Sequence, residues 1–389
     1  MTEVENRHDD MLTLKPWLRR DPLRDERLKK LARVLVDYSV GAGEGEQVLV
    51  AGGAAAEPLI KEVYARLLDV GAIPIPQIAL PGIQELFYEH AREIHYEKTP
   101  AAVRSVYEGV DAVISIMAPH NTRALAGVDP AKQRALGKRD KAVQDLVIER
   151  DRWALTLFPT QALAQESEMG LEEYEEFVFE AMALGDDDPV RYWRGKAEEQ
   201  RKLIERLERA SEIRIVGPGT DLTLSVEGRK FLNGDGRHNM PCGEVFTGPV
   251  EDSASGEIYF GIPVAVAGRE VHGVRLRFDG GRVVEAGAEK GQEYLESMLD
   301  ADEGARYLGE LGIGTNYGIP RATKNILFDE KLGGTVHLAV GRSYEQTGGK
   351  NDSSVHWDLI CDLRDGGELY ADDELIEKAG AFPDYDFAG

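Results

Sequence analysis

Residues 334–340 read G-T-V-H-L-A-V and residues 356–358 read H-W-D, and these two stretches decide how the last quarter of the chain folds. The first alternates small and β-branched residues around His337, which is typical of a buried strand. Side chains alternate in direction along an extended segment, so His356 and Asp358 face one side and the tryptophan between them faces the other. A lone histidine on such a strand is usually satisfied by a backbone carbonyl. A carboxylate beside a histidine on one face is costly to bury without a cation, so the pattern predicts a metal site.

The first half of the chain alternates strand-like and helix-like segments. Short apolar runs predict strands at residues 47–51, 72–80, 111–117 and 152–158. Helices are predicted between them: residues 57–69 carry an apolar stripe with helical spacing, a second helical segment follows the strand at 72–80 and ends near residue 98, and a basic helix covers residues 132–149. This α/β alternation predicts a doubly wound, mainly parallel sheet.

The pattern changes after a helical stretch at residues 171–209. Short strands separated by Gly and Asp turns follow, at residues 212–217, 222–227, 257–260, 274–278 and 282–286. One helix is expected near residues 292–308. We therefore predict an N-terminal α/β domain over residues 1–190 and a C-terminal, mostly β (α+β) domain over residues 191–389 that binds the metal and carries catalysis.

The glycines of G-E-G-E-Q-V-L-V-A-G-G, residues 43–53, invite comparison with a dinucleotide-binding motif. In that motif the glycines follow the strand and run directly into a helix. Here Gly43 and Gly45 precede the strand, so the spacing does not fit and the glycines are interpreted as turn residues.

Charge is the strongest feature of the composition. The chain of 389 residues has 70 Asp and Glu against 46 Lys and Arg, a formal net charge of −24. Self-repulsion of this size is best tolerated where salt screens it, which favours a halophilic, archaeal host over an acidic mesophilic one. The same charge argues against nucleic-acid binding.

The first residues, the apolar runs and the cysteines of the chain bear on its cellular location. Residues 1–10 are polar and acidic, without the apolar core of a signal peptide, and no apolar run approaches membrane-spanning length. Cys242 and Cys361 lack a metal-binding spacing, and a disulfide is not expected in a reducing cytosol. We expect a cytoplasmic protein without a membrane partner.

Two glutamates extend the candidate site. Glu244 lies in N-M-P-C-G-E-V-F-T-G-P, residues 239–249, and Glu310 follows the predicted helix at the start of a glycine-rich turn. Each alone is better explained as a turn cap or an exposed edge residue. Together with the two histidines and the aspartate they form a ligand set suited to two divalent ions that share a bridging carboxylate. Zinc, cobalt or manganese is preferred for such ligands. The expected chemistry is hydrolysis.

These segments carry a family resemblance. Residues 239–249, L-G-E-L-G-I-G-T-N, H-L-A-V-G-R-S-Y-E-Q-T-G-G and S-S-V-H-W-D-L resemble, in this order, segments of the aminopeptidase T and aminopeptidase S family of leucyl-type, dinuclear metal-dependent aminopeptidases. W-A-L-T-L-F-P-T-Q-A-L-A-Q, residues 153–165, and the following E-E-Y-E-E-F resemble it too. The resemblance spans most of the chain.

The resemblance implies a set of site residues and a partner. The implied metal ligands are Glu244, Glu310, His337, His356 and Asp358, and Glu310 is expected to bridge the two ions. Tyr344 matches a family tyrosine close to the metals, whose phenol could donate a hydrogen bond to the oxyanion of the tetrahedral intermediate; alternatively, it only packs beside a turn. The family also implies a homodimer with enclosed active sites that admit short peptides.

The implied reaction is attack of a metal-bridging hydroxide on the first peptide carbonyl. The residues do not single out the general base. Glu310 is occupied as a metal ligand, and Glu251 and Asp252 are close to Glu244 only in sequence. Two departures from the family are the Glu345 that follows Tyr344, where proline is common, and a short loop between Tyr344 and His356. They bear on substrate contacts more than on the ligands.

Two other functions compete with this interpretation. His337, His356 and Asp358 alone form the two-histidine, one-carboxylate set of non-haem iron(II) oxygenases, and ring-cleaving dihydroxypyridine dioxygenases resemble the same family. A mononuclear iron site has no need of Glu244 and Glu310, which favours the peptidase. A non-catalytic relative is disfavoured by the complete ligand set.

Overall fold

The computed structural model describes residues 25–266 and 268–387, and it confirms the predicted α/β fold with one parallel sheet and further antiparallel sheets. In these ranges the α-helices are α1 (Glu26–Arg33), α2 (Glu57–Asp69), α3 (Ile83–His90), α4 (Ile94–Glu97), α5 (Ala101–Gly109), α6 (Pro130–Arg150), α7 (Gln161–Glu166), α8 (Leu171–Ala181), α9 (Pro189–Leu207), α10 (Gln292–Leu299) and α11 (Ile326–Asp329). Shorter helical segments are a π-helix at Val34–Ser39 and 3-10 turns at Ala54–Ala56, Glu303–Arg306 and Glu345–Thr347. None of the helices in the described ranges has the length and apolar content needed to cross a membrane.

The strands fall into an N-terminal and a C-terminal group. The first group is β1 (Gln47–Gly53), β2 (Ile73–Ala79), β3 (Ala112–Met117) and β4 (Trp153–Leu157). The second group is β5 (Glu212–Gly217), β6 (Thr220–Ser225), β7 (Leu232–Gly234), β8 (Asn239–Met240), β9 (Glu244–Thr247), β10 (Ser255–Phe260), β11 (Val264–Val266), β12 (Arg269–Val271), β13 (Val274–Asp279), β14 (Arg282–Gly287), β15 (Leu308–Gly314), β16 (Thr335–Gly341), β17 (His356–Asp362), β18 (Glu368–Ala371) and β19 (Glu374–Lys378).

The first four strands form a parallel sheet in the order β2-β1-β3-β4, with β8 added beside β4. Val48, Leu49 and Val50 are fully buried, because helices cover a parallel sheet on both faces. Helix α2 packs on it through an apolar stripe that includes Leu59 and Val63.

The remaining strands form two larger antiparallel sheets and one hairpin. Seven strands lie in the order β14-β13-β10-β6-β5-β18-β19, and β11 pairs with β12. The other large sheet, here called the site sheet, has the order β17-β16-β15-β9-β7. One apolar core contains buried side chains from both large sheets, including Phe260, Phe278 and Leu338.

Residues from beyond position 190 complete the parallel sheet. Thr156 pairs with Met240 in the register between β4 and β8, and its hydroxyl donates a 2.8 Å hydrogen bond to the Met240 carbonyl. Trp193 and Phe328 belong to the same apolar core as the helices of the first half. The boundary at residue 190 stays a prediction.

The predicted helix at residues 292–308 is wrong over its second half. Helix α10 ends at Leu299, and β15 begins at Leu308, so Glu310 lies inside a strand and not in a turn. The glycines of β15 explain the error. A side chain at Gly309 would collide with the carbonyl oxygens of Gly341 and Arg342, so glycine serves close strand packing here and not a turn.

A buried carboxyl lies in β19, away from the site sheet. Glu377 is fully buried, and neither of its carboxyl oxygens has a hydrogen-bond partner among the described residues. Burial, and then the charge of Asp362, raises the pKa of Glu377 to about 8. The folded protein therefore holds this group protonated near neutral pH, while the unfolded chain ionises it above its ordinary pKa of about 4.3.

Replacing Glu377 should change how stability depends on pH. Because the folded pKa is raised, the stabilisation relative to Glu377→Gln is complete below about pH 4 and is lost as the pH rises to about 8, by up to ~1.4 kcal/mol per pH unit. Denaturant unfolding of both proteins between pH 5 and 9 measures the difference. Glu205→Gln, at an exposed glutamate of α9, is the control. Parallel profiles for wild type and Glu377→Gln would contradict the prediction.

Candidate metal centre

The five residues predicted as metal ligands lie together on the site sheet. Glu244 begins β9, Glu310 lies in β15, His337 in β16, and His356 and Asp358 in β17. All are buried except His356, whose side chain is 22% exposed. Four neighbouring strands therefore bring together groups that are up to 114 residues apart in sequence, from 244 to 358.

The strand register places these side chains on one face. Ala339 of β16 pairs with Glu310 on one side and with Asp358 on the other. Glu244 pairs with Gly314 of β15. Directly paired residues project to the same side of a sheet, and the small side chain of Ala339 leaves room between the two carboxylates.

Glu310 is at the centre of the cluster. Its Oε1 lies 3.3 Å from His337 Nε2, and its Oε2 lies 3.4 Å from His356 Nε2. His337 Nε2 is also 3.5 Å from Glu244 Oε2, and His356 Nε2 is 3.8 Å from Asp358 Oδ1. The two oxygens of one carboxylate thus face two separate histidine–carboxylate pairs.

The ring of His356 is held in one tautomer. Its Nδ1 lies 2.8 Å from the carbonyl oxygen of Arg342, which can only accept, so Nδ1 must carry the proton. Nε2 then faces Glu310 and Asp358, and its lone pair becomes available to a metal when this nitrogen is deprotonated. A backbone carbonyl behind a histidine is the usual device for orienting a metal-binding imidazole.

Two glycines clear the space that the site occupies. Gly312 pairs with His337, and a Cβ atom there would overlap the imidazole ring. Gly234 of β7 pairs with Glu244, and a Cβ atom there would lie 2.7 Å from Glu244 Cγ. The neighbouring strands therefore carry no side chain where the ligand side chains lie.

The site concentrates negative charge in a dry environment. Burial, followed by the Asp358 charge, raises the pKa of Glu310 against the opposing effect of its bond to His337. Burial alone would lower the pKa of both histidines, but Glu310 and Glu244 raise that of His337, and Asp358 and Glu310 raise that of His356. Protons are retained here without a metal, and divalent cations could replace them.

Two further charged residues reach the site, and sequence reasoning missed both. Glu330 offers a carboxylate oxygen that lies within 4.8 Å of ligand atoms of His337 and Asp358. Lys331 is fully buried, with its Nζ 3.2 Å from Glu244 Oε1 and in contact with Glu330 Oε1. Their only sequence signal is an acidic–basic pair that one leucine separates from a glycine pair and an apolar strand, which is also typical of a solvated turn.

Tyr344 lies at the entrance to the cluster. Its ring centroid is 5.1 Å from that of His356 and 5.9 Å from that of Phe246, and the residue is 37% exposed. The surrounding protein, and then the charges of Glu310 and Asp358, raise the pKa of the phenol. The hydroxyl therefore stays protonated and can donate a hydrogen bond.

The two carboxylates considered as a general base lie in other settings. Glu251 accepts hydrogen bonds from Arg229, at 2.7 Å, and from the backbone amide of Lys350, at 2.6 Å. It thereby holds the loop after Tyr344 in place. Asp252 is exposed.

The residues present fit divalent metal ions. Glu244 Oε2 is buried and has no hydrogen-bond partner among the described residues, although it lies beside His337. Buried carboxylates without donors are rare unless a cation accompanies them. Imidazole and carboxylate donors in this number are the donor set of a metal-dependent hydrolase.

Comparison with known proteins agrees with that class. The family model described as thermophilic metalloprotease (M29) matches residues 24–382, and the chain belongs to this family. The family implies a divalent metal.

Named relatives match along nearly their whole length. Aminopeptidase T of Thermus aquaticus is 27% identical over 404 aligned positions, covering 92% of this chain and 97% of the relative. Aminopeptidase 2 of Geobacillus stearothermophilus is 28% identical, covering 88% of this chain and 93% of the relative.

Two solved structures share the fold. Wild-type AmpT from Thermus thermophilus superposes with a TM-score of 0.81 at 23% identity, covering 92% of this chain and 99% of that one. The 2,5-dihydroxypyridine dioxygenase of Pseudomonas putida KT2440 reaches a TM-score of 0.59 at 14% identity, covering 95% of this chain and 100% of that one.

Substituting Gly312 should disable the site without unfolding the protein. In Gly312→Ala the added methyl group must displace the His337 ring, while the strand backbone itself tolerates alanine. We expect loss of bound divalent metal and at least a 100-fold loss of hydrolysis, measured by elemental analysis and by peptide turnover. Gly287→Ala is the matched control, because this strand glycine has nothing within 4 Å of the added Cβ. Full metal content in Gly312→Ala would contradict the prediction, because it would show that the added methyl group does not prevent His337 from binding metal.

Proposed function

We propose that this protein is a metal-dependent aminopeptidase that removes a leucine-like N-terminal residue, with broad tolerance, from short peptides. Membership of a metalloprotease family and the named aminopeptidase relatives support this function. The observation that carries this proposed function is the position of Glu310. Its two carboxylate oxygens face two different histidines, at 3.3 and 3.4 Å.

The proposed centre holds two divalent ions, zinc, cobalt or manganese, with Glu310 as their common ligand. Glu244 and His337 would complete one position, and His356 and Asp358 the other. Each position then has one imidazole and one terminal carboxylate in addition to the shared carboxylate. This division follows the two groups of mutually close donor atoms that include Glu310; a third group joins Glu330 to His337 and Asp358.

The metals and the protein have different tasks in this mechanism. When bound, the two ions supply a Lewis acid for the substrate carbonyl and lower the pKa of water. The buried carboxylates fix the charge of the centre. The Arg342 carbonyl keeps the His356 ring in the orientation that presents Nε2.

Tyr344 is the proposed oxyanion donor. The tyrosine is partly accessible, so a peptide can reach it from solvent, and Phe246 and His356 restrict where its ring can lie. Its protonated phenol would bond the carbonyl oxygen more strongly as negative charge develops there, which lowers the barrier.

A ring-cleaving dioxygenase built on His337, His356 and Asp358 is the alternative. The shared fold at 14% identity does not decide between the two reactions. The position of Glu310 does favour the peptidase, since a mononuclear site on His337, His356 and Asp358 would leave the buried Glu310 carboxylate and Glu244 Oε2 without a metal ion.

Metal content and turnover test this function together. Protein purified in high salt should contain about two zinc, cobalt or manganese ions per chain and release leucine from a leucyl chromogenic amide. Glu310→Gln should lose metal and at least about 100-fold in activity, because it removes the shared ligand. Tyr344→Phe should keep both ions and lose about 100- to 1000-fold in kcat, as removal of an oxyanion donor does.

The opposite outcomes are equally clear. One iron per chain, no amide hydrolysis and oxygen uptake with 2,5-dihydroxypyridine would establish the dioxygenase. An unchanged kcat in Tyr344→Phe would reduce this tyrosine to a packing residue.

We further propose a homodimer in the cytoplasm of a halophilic archaeon. The net charge of −24 supports the host, and an exposed apolar row supports the dimer. That row comprises Ile78, Leu80, Ile83 and Leu86, each 45–61% exposed, and runs from the end of β2 through the connecting loop into α3.

Light scattering in concentrated KCl tests the dimer and the salt requirement. We expect twice the chain mass of 42.9 kDa, and a thermal midpoint that rises with salt as screening relieves self-repulsion. Leu80→Asp should give monomers, whereas Val284→Asp, at an exposed valine of β14, should not. A monomeric wild type at all salt concentrations would refute the dimer.

A further inference from the structure

Lys331 has no part in the function proposed so far, although its ammonium group lies inside the candidate centre. The side chain is fully buried and carries its charge to 3.2 Å from Glu244 Oε1. Burying an ammonium group is strongly unfavourable unless carboxylates compensate for its charge. The carboxylates that contact Lys331 must therefore explain why its charge is buried here.

The backbone delivers this lysine rigidly. The Lys331 amide donates to the Phe328 carbonyl at 3.0 Å, and the Lys331 carbonyl accepts from the Asn316 amide at 3.0 Å. Asn316 in turn donates to the Cys242 carbonyl through its side chain at 2.8 Å. One short network thus connects the lysine backbone to the segment that presents Glu244.

Lys331 divides the two oxygens of Glu244 between different partners. Oε1 faces the ammonium group, and Oε2 lies 3.5 Å from His337 Nε2 with no hydrogen-bond donor of its own. An oxygen paired with an ammonium group is less available to a metal ion than one without a donor. Oε2 is the Glu244 oxygen without a donor, and it lies on the His337 side of the centre.

Glu330 completes the charge balance. Four carboxylates surround the centre, namely Glu244, Glu310, Asp358 and Glu330, and Lys331 contacts the first and the last of them. One fixed positive charge leaves a net charge of −3 among these side chains. Two divalent ions and one hydroxide neutralise that charge, whereas four uncompensated carboxylates would not match them.

We propose that Lys331 is a positioning residue that holds Glu244 as a one-oxygen ligand for the metal position on the His337 side. This inference rests on the proposed dinuclear centre. The ion on the His356 side shares no ligand with the lysine, so Lys331 acts on one metal position and not on the other.

The experiment compares wild type with Lys331→Met in titrations of metal-free protein with Zn²⁺ against a chromogenic chelator. Wild type should bind two ions. Lys331→Met should bind one ion with nearly unchanged affinity and the second 10- to 100-fold more weakly, as expected for loss of a group that orients a ligand. Lys196→Met is the matched control: this buried lysine of α9 bonds to the carbonyl oxygens of Phe387 and Thr315 and not to the site carboxylates.

A second pair of variants separates positioning from charge and from folding. Glu330→Gln combined with Lys331→Met keeps the net charge, so it should fold even where the single change does not, and it should still bind one ion weakly. In a Glu244→Gln background, Lys331→Met should cause no further loss of affinity, because the residue it positions is already absent.

Each other result overturns the proposal. Normal binding of both ions by the charge-neutral double variant would mean that Lys331 only neutralises Glu330. Equal weakening of both ions, matched by Lys196→Met, would mean a general structural role. A wild type that binds a single ion would refute the dinuclear centre itself, and that result is visible before any variant is made.

Discussion

The structure depends on one constraint, which is that a carboxylate buried between two histidines must be compensated by positive charge. Glu310 lies in a central strand of the site sheet, with Glu244 and Asp358 on either side and little solvent access. At effective interior dielectric constants, charges a few ångströms apart interact by several kcal/mol. Without cations the cluster must retain protons, which is the direction in which the pKa of Glu310 and of both histidines is shifted. The surrounding residues are arranged to make this cluster possible and to leave it short of positive charge.

The glycine content of the site strands follows from the same constraint. Ligand side chains from adjacent strands can converge only where their cross-strand neighbours carry little or no side chain. Gly312, Gly234 and Ala339 meet this requirement beside His337, Glu244 and the Glu310–Asp358 pair. Glycine in a strand interior weakens the strand, but burial on both faces of β15 and β16 offsets the cost.

The sequence predicted the parts of the fold that local periodicity encodes. The β-α alternation of the first half is confirmed, helix α2 has the predicted bounds at residues 57–69, and His356 and Asp358 share a face as alternation along a strand requires. The placement of Glu310 was wrong, because its glycine neighbours were interpreted as a turn when they serve strand packing. Strand β8, which joins the parallel sheet from residue 239 onward, is only two residues long and carries no periodicity. Lys331 could not be identified either, since burial of a lysine depends on partners that sequence separates by up to 87 positions, from 244 to 331.

The dioxygenase and the peptidase share a scaffold, so the difference between their reactions must lie in individual side chains. Strands β16 and β17 alone supply two histidines and one carboxylate, which suffice for one ion. A second metal position would need carboxylates from β9 and β15. One of these carboxylates would also have to direct one oxygen to each half of the site. In the proposed centre Glu310 does this from β15, which lies between β9 and β16, and both of these strands carry predicted ligands. Glu244 would serve only the His337 half, and we propose that the ammonium group beside its other oxygen directs it there. On the proposed dinuclear centre, the number of metal positions would thus be set by which strand carries the shared carboxylate, and not by the fold.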